Sequence, residues 1–271
     1  MPELPEVETV VRALRPLLVG QTITGMDSDW PNQIVTPDLA SLQERIAGGR
    51  IEAINRRGKY LLFSLGNNET LIIHLKMTGH LSVVSASEAR NPYVHAVFQL
   101  GGGKELRFRD MRKFGRIYLV RDPDDVLGKL GPEPLEADFT PAWLHRNLSR
   151  RRRVLKPLLL DQTFVAGIGN IYADEALYRA AIDPRRHSHT VNPTEAEALH
   201  QAIRTVLKLG IAQEGASIDG AYRKPDGSPG TMQDEVLVYG RAGEPCARCG
   251  TPLERIILGG RSTHLCPACQ S

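Results

Sequence analysis

Apolar residues at Val7, Val10, Val11, Leu14, Leu17 and Leu18 recur every three or four positions, which predicts an amphipathic helix over residues 3–18 that stops at Gly20. From Thr22 to about Val120 the pattern shortens. Segments 51–54, 60–65, 70–75 and 95–100 are rich in β-branched and aromatic residues and are separated by Gly, Asn and Asp. Short strands at this spacing predict a β-sandwich or barrel-like domain. The passage 128–138, GKLGPEPLEAD, reads as a hinge. Helical periodicity then returns over 141–149, 154–161, 170–180 and 193–213, with Thr194 as the expected cap of the last helix. Residues 215–230 are small, polar and glycine-rich, and unpatterned loops of that length are commonly functional. The fold class expected is therefore α+β in two domains. An N-terminal helix plus β-sandwich spans 1–127, a linker 128–141, a helical domain 142–235 that includes the 215–230 loop, and a final hairpin segment 236–271.

Composition narrows the picture. Of 271 residues, 41% are hydrophobic and 24% charged, enough for a real core. No apolar run approaches about 18 residues and the acidic N-terminus lacks a signal-peptide core, so no membrane span and a cytoplasmic location are expected. The net charge is only +3, but cations are concentrated in Arg56-Arg57-Gly58-Lys59, in 107–116 and in 150–153. Such clusters on a nearly neutral chain suggest a face for a polyanion, against the plainer reading of a solvated basic surface.

Three stretches carry candidate chemistry. Met1 precedes Pro2, a small residue that permits its removal, and Pro2 would then expose a secondary amine. An α-amino group titrates near pH 7.7–8.0 on average, so part of it is a neutral nucleophile at cellular pH. Glu3 places a proton-transferring carboxyl one residue away. On these residues alone, Pro2, Glu3 and Pro5 equally suit the start of a helix. Cys246-x2-Cys249 and Cys266-x2-Cys269 are the only cysteines and have the spacing of a four-thiolate zinc site. Two disulfides are the alternative, disfavoured in a reducing compartment. Between the pairs, 253–258 and 261–265 would form a hairpin too small to fold without metal, with Arg261 on the Gly259-Gly260 turn where it could enter a phosphate groove. Finally, 165–172 reads as a helix–turn–helix junction in which Asn170 could both cap the following helix and touch a phosphate.

In chain order, Pro2-Glu3-Leu4-Pro5-Glu6-Val7-Glu8, Arg57-Gly58-Lys59-Tyr60, His74-Leu75-Lys76-Met77, Arg112-Lys113-Phe114-Gly115, Gly167-Ile168-Gly169-Asn170-Ile171-Tyr172 and the terminal cysteine pairs resemble the bacterial formamidopyrimidine-DNA glycosylases, from residue 2 to residue 270. The resemblance implies a helix-two-turn-helix domain with a zinc finger. It also implies a bifunctional glycosylase and abasic-site lyase acting on double-stranded DNA that contains oxidised purines or abasic sites. Pro2 would be the Schiff-base nucleophile and Glu3 the proton donor to the sugar. Lys59 would donate in β-elimination and Arg261 in δ-elimination, although phosphate binding is a near-equal reading of Arg261 because a guanidinium is a poor acid.

The same resemblance makes Met77, Arg112 and Phe114 the group that fills the gap left by a flipped base. Glu6 matches the family's acid near the lesion, and Ser217, Ile218 and Tyr222 lie where the family closes over it. Phosphate contacts are expected from His74, Arg112, Arg152, Asn170 and Arg261, with Tyr93 and His95 as weaker DNA contacts. Tyr93 departs from the histidine common in the family and cannot contribute a cation. One structural zinc, no organic cofactor, a monomer, and a bacterial cytoplasmic enzyme associated with the nucleoid through DNA complete the expectations. The sibling endonuclease VIII acts on oxidised pyrimidines; Leu4, where its motif has glycine, and the Arg-Lys-Phe wedge favour the purine branch. A non-catalytic DNA-binding protein is the alternative from another class, and intact Pro2, Glu3 and Lys59 speak against it.

Overall fold

The computed structural model describes residues 1–220 and 222–271, which group into two compact units. The first comprises Met1–Lys129 with Gln213–Thr231, the second Leu130–Ala212 with Met232–Ser271. The first unit begins with helix α1, Leu4–Leu18. Nine strands and two further helices follow: β1 Ile23–Ser28, β2 Ile34–Thr36, α2 Leu39–Ile46, β3 Ile51–Arg57, β4 Tyr60–Leu65, β5 Thr70–His74, β6 Gly79–Ser85, β7 Val94–Leu100, β8 Lys104–Asp110, β9 Arg116–Val120 and α3 Asp124–Leu127. They form a four-stranded sheet in the order β1-β7-β8-β6 and a five-stranded sheet in the order β2-β9-β5-β4-β3, antiparallel throughout except for β2 beside β9.

Alternation decides how these sheets face. On β4, Leu61, Phe63 and Leu65 are buried while their neighbours are half-buried, and they join Phe98, Leu106 and Phe108 of the other sheet in one core. Helix α1 contributes Val7, Val10, Val11, Leu14 and Leu18 to the same core and lies against β3, β4 and β6. At about 1.5–3 kcal/mol for each fully buried aliphatic side chain, this anchors the helix that carries Pro2 and Glu3. Leu17, expected in the buried stripe, is 45% exposed and falls on the flank of that face.

The second unit is helical, with α4 Pro141–Ser149, α5 Leu155–Leu159, α6 Asn170–Arg179 and α7 Pro193–Ala212, followed by the hairpin β10 Glu254–Leu258 and β11 Arg261–Leu265. The α+β architecture expected from the sequence is present. One local detail differs from expectation. Helix α7 is capped by Asn192, whose Oδ1 accepts from Glu195 N while Glu195 Oε2 accepts from Asn192 N, a reciprocal box that leaves Thr194 inside the helix. The boundary between the units, Lys129 to Leu130, falls within the stretch read as a hinge; beyond it Gly131 N–H donates to Gln162 O, Pro132 O accepts from Ala166 N, and Pro134 O and Glu136 O accept from Arg204, all within the second unit. Among the described residues, no helix is long and apolar enough to cross a membrane.

Residues 213–231, placed by the sequence reading within the helical domain, pack with the first unit instead. The reason is specific. Tyr222 is buried in that unit's core, and Ala216 N–H donates to Glu6 on α1 at 2.8 Å.

Candidate active site and nucleic-acid interface

The N-terminus of α1 is a built site. Pro2 and Glu3 are both buried, and Glu3 is the residue that caps the helix. Glu6 Oε2 accepts from Glu3 N at 2.7 Å, and the Glu3 carboxylate returns the bond to the Glu6 amide, which fixes both acids at the positive end of the helix. The other Glu6 oxygen takes the Ala216 amide of the 213–231 loop. Gly215 is required there: its φ is +86°, and a Cβ would lie 2.8 Å from Glu6 Cγ. Tyr222 closes the contact from behind, donating to Glu214 O at 3.2 Å, and burial together with the Glu6 charge pushes its phenol pKa up. Of the predicted loop residues, Ser217 accepts from Gly230 N at 2.9 Å and Ile218 is half-buried.

Lys59 sits on the two-residue turn between β3 and β4 and is 4% exposed. Its charge and that of Lys76 act on His74, next to Tyr60 in the β4–β5 register, where the rings meet edge-on at 4.6 Å. Burial, then these two cations, lower the His74 pKa to about 3. His74 Nδ1 accepts from Lys76 N at 2.9 Å, so the neutral ring carries its proton on Nε2 and offers one N–H donor to an anion, not a positive charge. Because the folded state keeps this ring neutral below its unfolded value near 6.5, its contribution to stability is complete above that pH. It is lost as pH falls toward 3, by up to about 1.4 kcal/mol per unit. Unfolding midpoints between pH 7 and 4 should fall less steeply in His74→Asn than in the parent; equal slopes would contradict this.

Met77, Arg112 and Phe114 come together. The Arg112 guanidinium lies 4.8 Å from the Phe114 ring centre, and its Nη1 is 3.2 Å from Met77 Sδ. Met77 and Phe114, 37% and 44% exposed, thus form with Arg112 one exposed cluster. The sequence reading missed the residue that shapes this loop. Asp110 is fully buried; it accepts from Thr78 Oγ1 and, at 2.6 Å, from Gly115 N, and the Arg112 amide bonds Thr78 at 3.1 Å. An aspartate opening a tight Arg-Lys-Phe-Gly loop was the available signal. Asp110→Ala should cost about 1–3 kcal/mol by stranding these donors, and it should weaken excision more than binding to undamaged DNA. A variant of parental stability would refute this.

Two weaker expectations fare differently. Tyr93 is exposed beside Arg109, whose guanidinium is 5.7 Å from its ring centre. His95 is only 4% exposed on β7, with Nδ1 2.8 Å from Asp29 Oδ1. It alternates with the core residues Ala96 and Phe98 along β7 and shares an open surface pocket with Asp29, Arg90 and Val97.

In the second unit, Arg152 is exposed and makes no hydrogen bond or ion pair with the described residues, whereas Arg151 and Arg153 are committed to Asn147 and Asp161. Asn170 is not a cap. Gly169 holds that position, and Asn170 Nδ2 donates to Ser262 O at 3.0 Å, binding the hairpin to α6. Lys156 and Asp174, both fully buried, pair at 2.6 Å; Lys156 Nζ also reaches Ser262 O and Thr263 Oγ1, and Asp174 takes the His264 amide. Glu175 accepts from the amides of Leu237, Val238 and Tyr239. All three buried groups were missed in the sequence; Lys156 and Asp174 mount the hairpin whose Gly259-Gly260 turn, at φ +56° and +75°, presents the exposed Arg261.

The four cysteines converge, with all Sγ atoms within 4.8 Å of one another, Cys246–Cys269 at 3.9 Å and Cys249–Cys266 at 3.6 Å. Tetrahedral zinc with Zn–S bonds of about 2.3 Å separates its sulfurs by about 3.8 Å. The donor set thus fits one structural zinc, and these separations are far too long for disulfides.

A proline-led helix on a two-sheet unit, a helix-two-turn-helix unit and a four-thiolate finger together define a zinc-finger DNA-repair glycosylase. Family comparison agrees segment by segment. Residues 1–117 match the formamidopyrimidine-DNA glycosylase N-terminal domain, 130–221 its H2TH domain, and 243–271 a zinc finger found in FPG and IleRS. The chain belongs to the formamidopyrimidine-DNA glycosylase family. It is 48% identical to the enzyme of that name from Herpetosiphon aurantiacus and 49% identical to that from Chloroflexus aurantiacus, over the whole of this chain and 100% and 98% of those relatives. The Thermus thermophilus MutM (Fpg) crystal structure superposes with a TM-score of 0.90 at 43% identity, covering 99% of this chain and 98% of the other. The Lactococcus lactis Fpg in complex with abasic-site DNA gives 0.92 at 38%, covering 99% of each chain.

Proposed function

We propose that this chain excises oxidised purines, 8-oxoguanine and formamidopyrimidines, from duplex DNA and then cleaves the strand at the abasic site. The observation that carries this reading is the buried Pro2–Glu3 pair at the start of α1, linked through Glu6 to the 213–231 loop. With Met1 removed, the Pro2 nitrogen attacks C1′, the glycosidic bond breaks toward the base, and Glu3 protonates the sugar oxygen as the ring opens. A secondary amine yields an iminium that stays cationic without losing a proton, so it withdraws electrons as the C2′ proton leaves and the 3′ phosphate is eliminated. Elimination of the 5′ phosphate follows. Lys59 serves the first elimination and Arg261 the second.

The wedge of Met77, Arg112 and Phe114 fills the space of the extruded nucleotide, with the Arg112 guanidinium bonding the orphaned cytosine. His74, Arg112, Arg152, Asn170 and Arg261 meet phosphates, and affinity should fall steeply with salt; a flat response would remove the basic clusters from the interface. Zinc, held by Cys246, Cys249, Cys266 and Cys269, supplies folding energy to the finger. Leu4 and the Arg-Lys-Phe wedge favour the purine branch of the fold. Excision assays on matched duplexes test the assignment: 8-oxoguanine opposite cytosine should be released, and release of thymine glycol alone would select the pyrimidine-repair sibling.

A further inference from the structure

One face of α6 carries Asn170, Asp174 and Tyr178, spaced four residues apart and so stacked along a single side of the helix. All three touch the finger. Asn170 holds Ser262, Asp174 holds His264, and the Tyr178 hydroxyl lies 3.2 Å from Cys246 Sγ. Tyr178 is fully buried, in a cluster with Val238, Leu253, Cys246 and Cys266, and its ring lies 4.4 Å from the Arg248 guanidinium. A phenol is protonated at neutral pH and a metal-binding cysteine is a thiolate, so the hydroxyl is the donor and the sulfur the acceptor. The Arg248 amide gives the same sulfur a second, longer bond at 3.4 Å. Phenylalanine would fill this site almost as well, so packing alone does not call for the oxygen.

We propose that Tyr178 is an outer-shell partner of the zinc site, whose O–H bond to Cys246 withdraws charge from the thiolate and couples metal retention to α6. Four thiolates around Zn²⁺ carry a net charge of about −2 in a partly buried setting, and every donor aimed at a sulfur offsets part of it. Groups of this kind typically change metal affinity by about 10–100-fold.

The test compares zinc-loaded parent and Tyr178→Phe proteins. Zinc transfer to a chromogenic chelator should be about 10–100-fold faster in the variant, with unfolding midpoints of the loaded proteins confirming that both are folded. In the cobalt-substituted proteins, the sulfur-to-metal charge-transfer band should move to lower energy, because an unbonded thiolate gives up its electron more readily. Unchanged release overturns the proposal. Faster release with an unmoved band marks a packing effect and overturns it as well.

Discussion

Blocking the Pro2 nitrogen, through a retained Met1 or an added N-terminal tag, is expected to slow base excision by at least about 10³-fold while leaving the fold intact. In a peptide bond that nitrogen is an amide whose lone pair is delocalised, so it cannot attack C1′. Helix α1 begins at Leu4, capped by Glu3, and its buried face starts with Leu4 and Val7, so nothing in the packing depends on a free Pro2 amine. Mass spectrometry of the N-terminus beside the excision rate checks the expectation; full activity from protein that keeps Met1 would remove Pro2 from the mechanism. Glu3→Gln separates the two duties of the neighbouring residue. Its amide oxygen can still accept the Glu6 amide and cap the helix, but it cannot transfer a proton. Stability should hold while excision falls about 10²–10⁴-fold.

The second large effect is removal of zinc, which should unfold the 243–271 segment and lower affinity for abasic-site DNA by at least about 10²-fold. Strands β10 and β11 have five residues each, and an isolated two-stranded hairpin is marginal in water. The apolar cluster beneath it is small and includes Cys246 and Cys266 themselves. Structural zinc contributes about 10–16 kcal/mol in comparable peptides, more than the polar contacts from Lys156, Asp174 and Asn170 replace. Fluorescence anisotropy on an abasic-analogue duplex, before and after chelation and again after zinc is restored, reads the effect. Binding that survives complete metal removal would show that the finger is dispensable.

What was legible in the sequence follows from the range of the interactions involved. Helix α1, the β4 and β5 strands and the β10–β11 turn are written in local periodicity or in a Gly-Gly pair, so neighbouring residues reveal them. The cysteines were legible because metal chemistry restricts both residue type and spacing. Asp110, Lys156, Asp174 and Glu175 were not, because each is a buried polar group whose meaning lies in a distant partner. Lys156 and Ser262 are 106 positions apart. The 213–231 loop lacks a hydrophobic pattern, and only the contacts of Ala216 and Tyr222 with α1 and its core reveal which unit it joins. Chemistry also left some roles ambiguous on local grounds. Glu3 is at once a good cap and a good acid; the structure shows the cap, and Glu3→Gln tests the acid. Asn170 read as both a cap and a phosphate contact, but Gly169 holds the cap position and Asn170 is bonded to Ser262, mounting the finger.

In the proposed reaction Pro2 forms the covalent link to DNA. Borohydride added during reaction with a duplex carrying 8-oxoguanine opposite cytosine should reduce the iminium to a stable amine. Peptide mapping should then place the cross-link on an N-terminal peptide beginning at Pro2, with no adduct on the undamaged duplex. A cross-link mapped to Lys59 or another lysine, or no trapping by protein verified to begin at Pro2, would contradict the account.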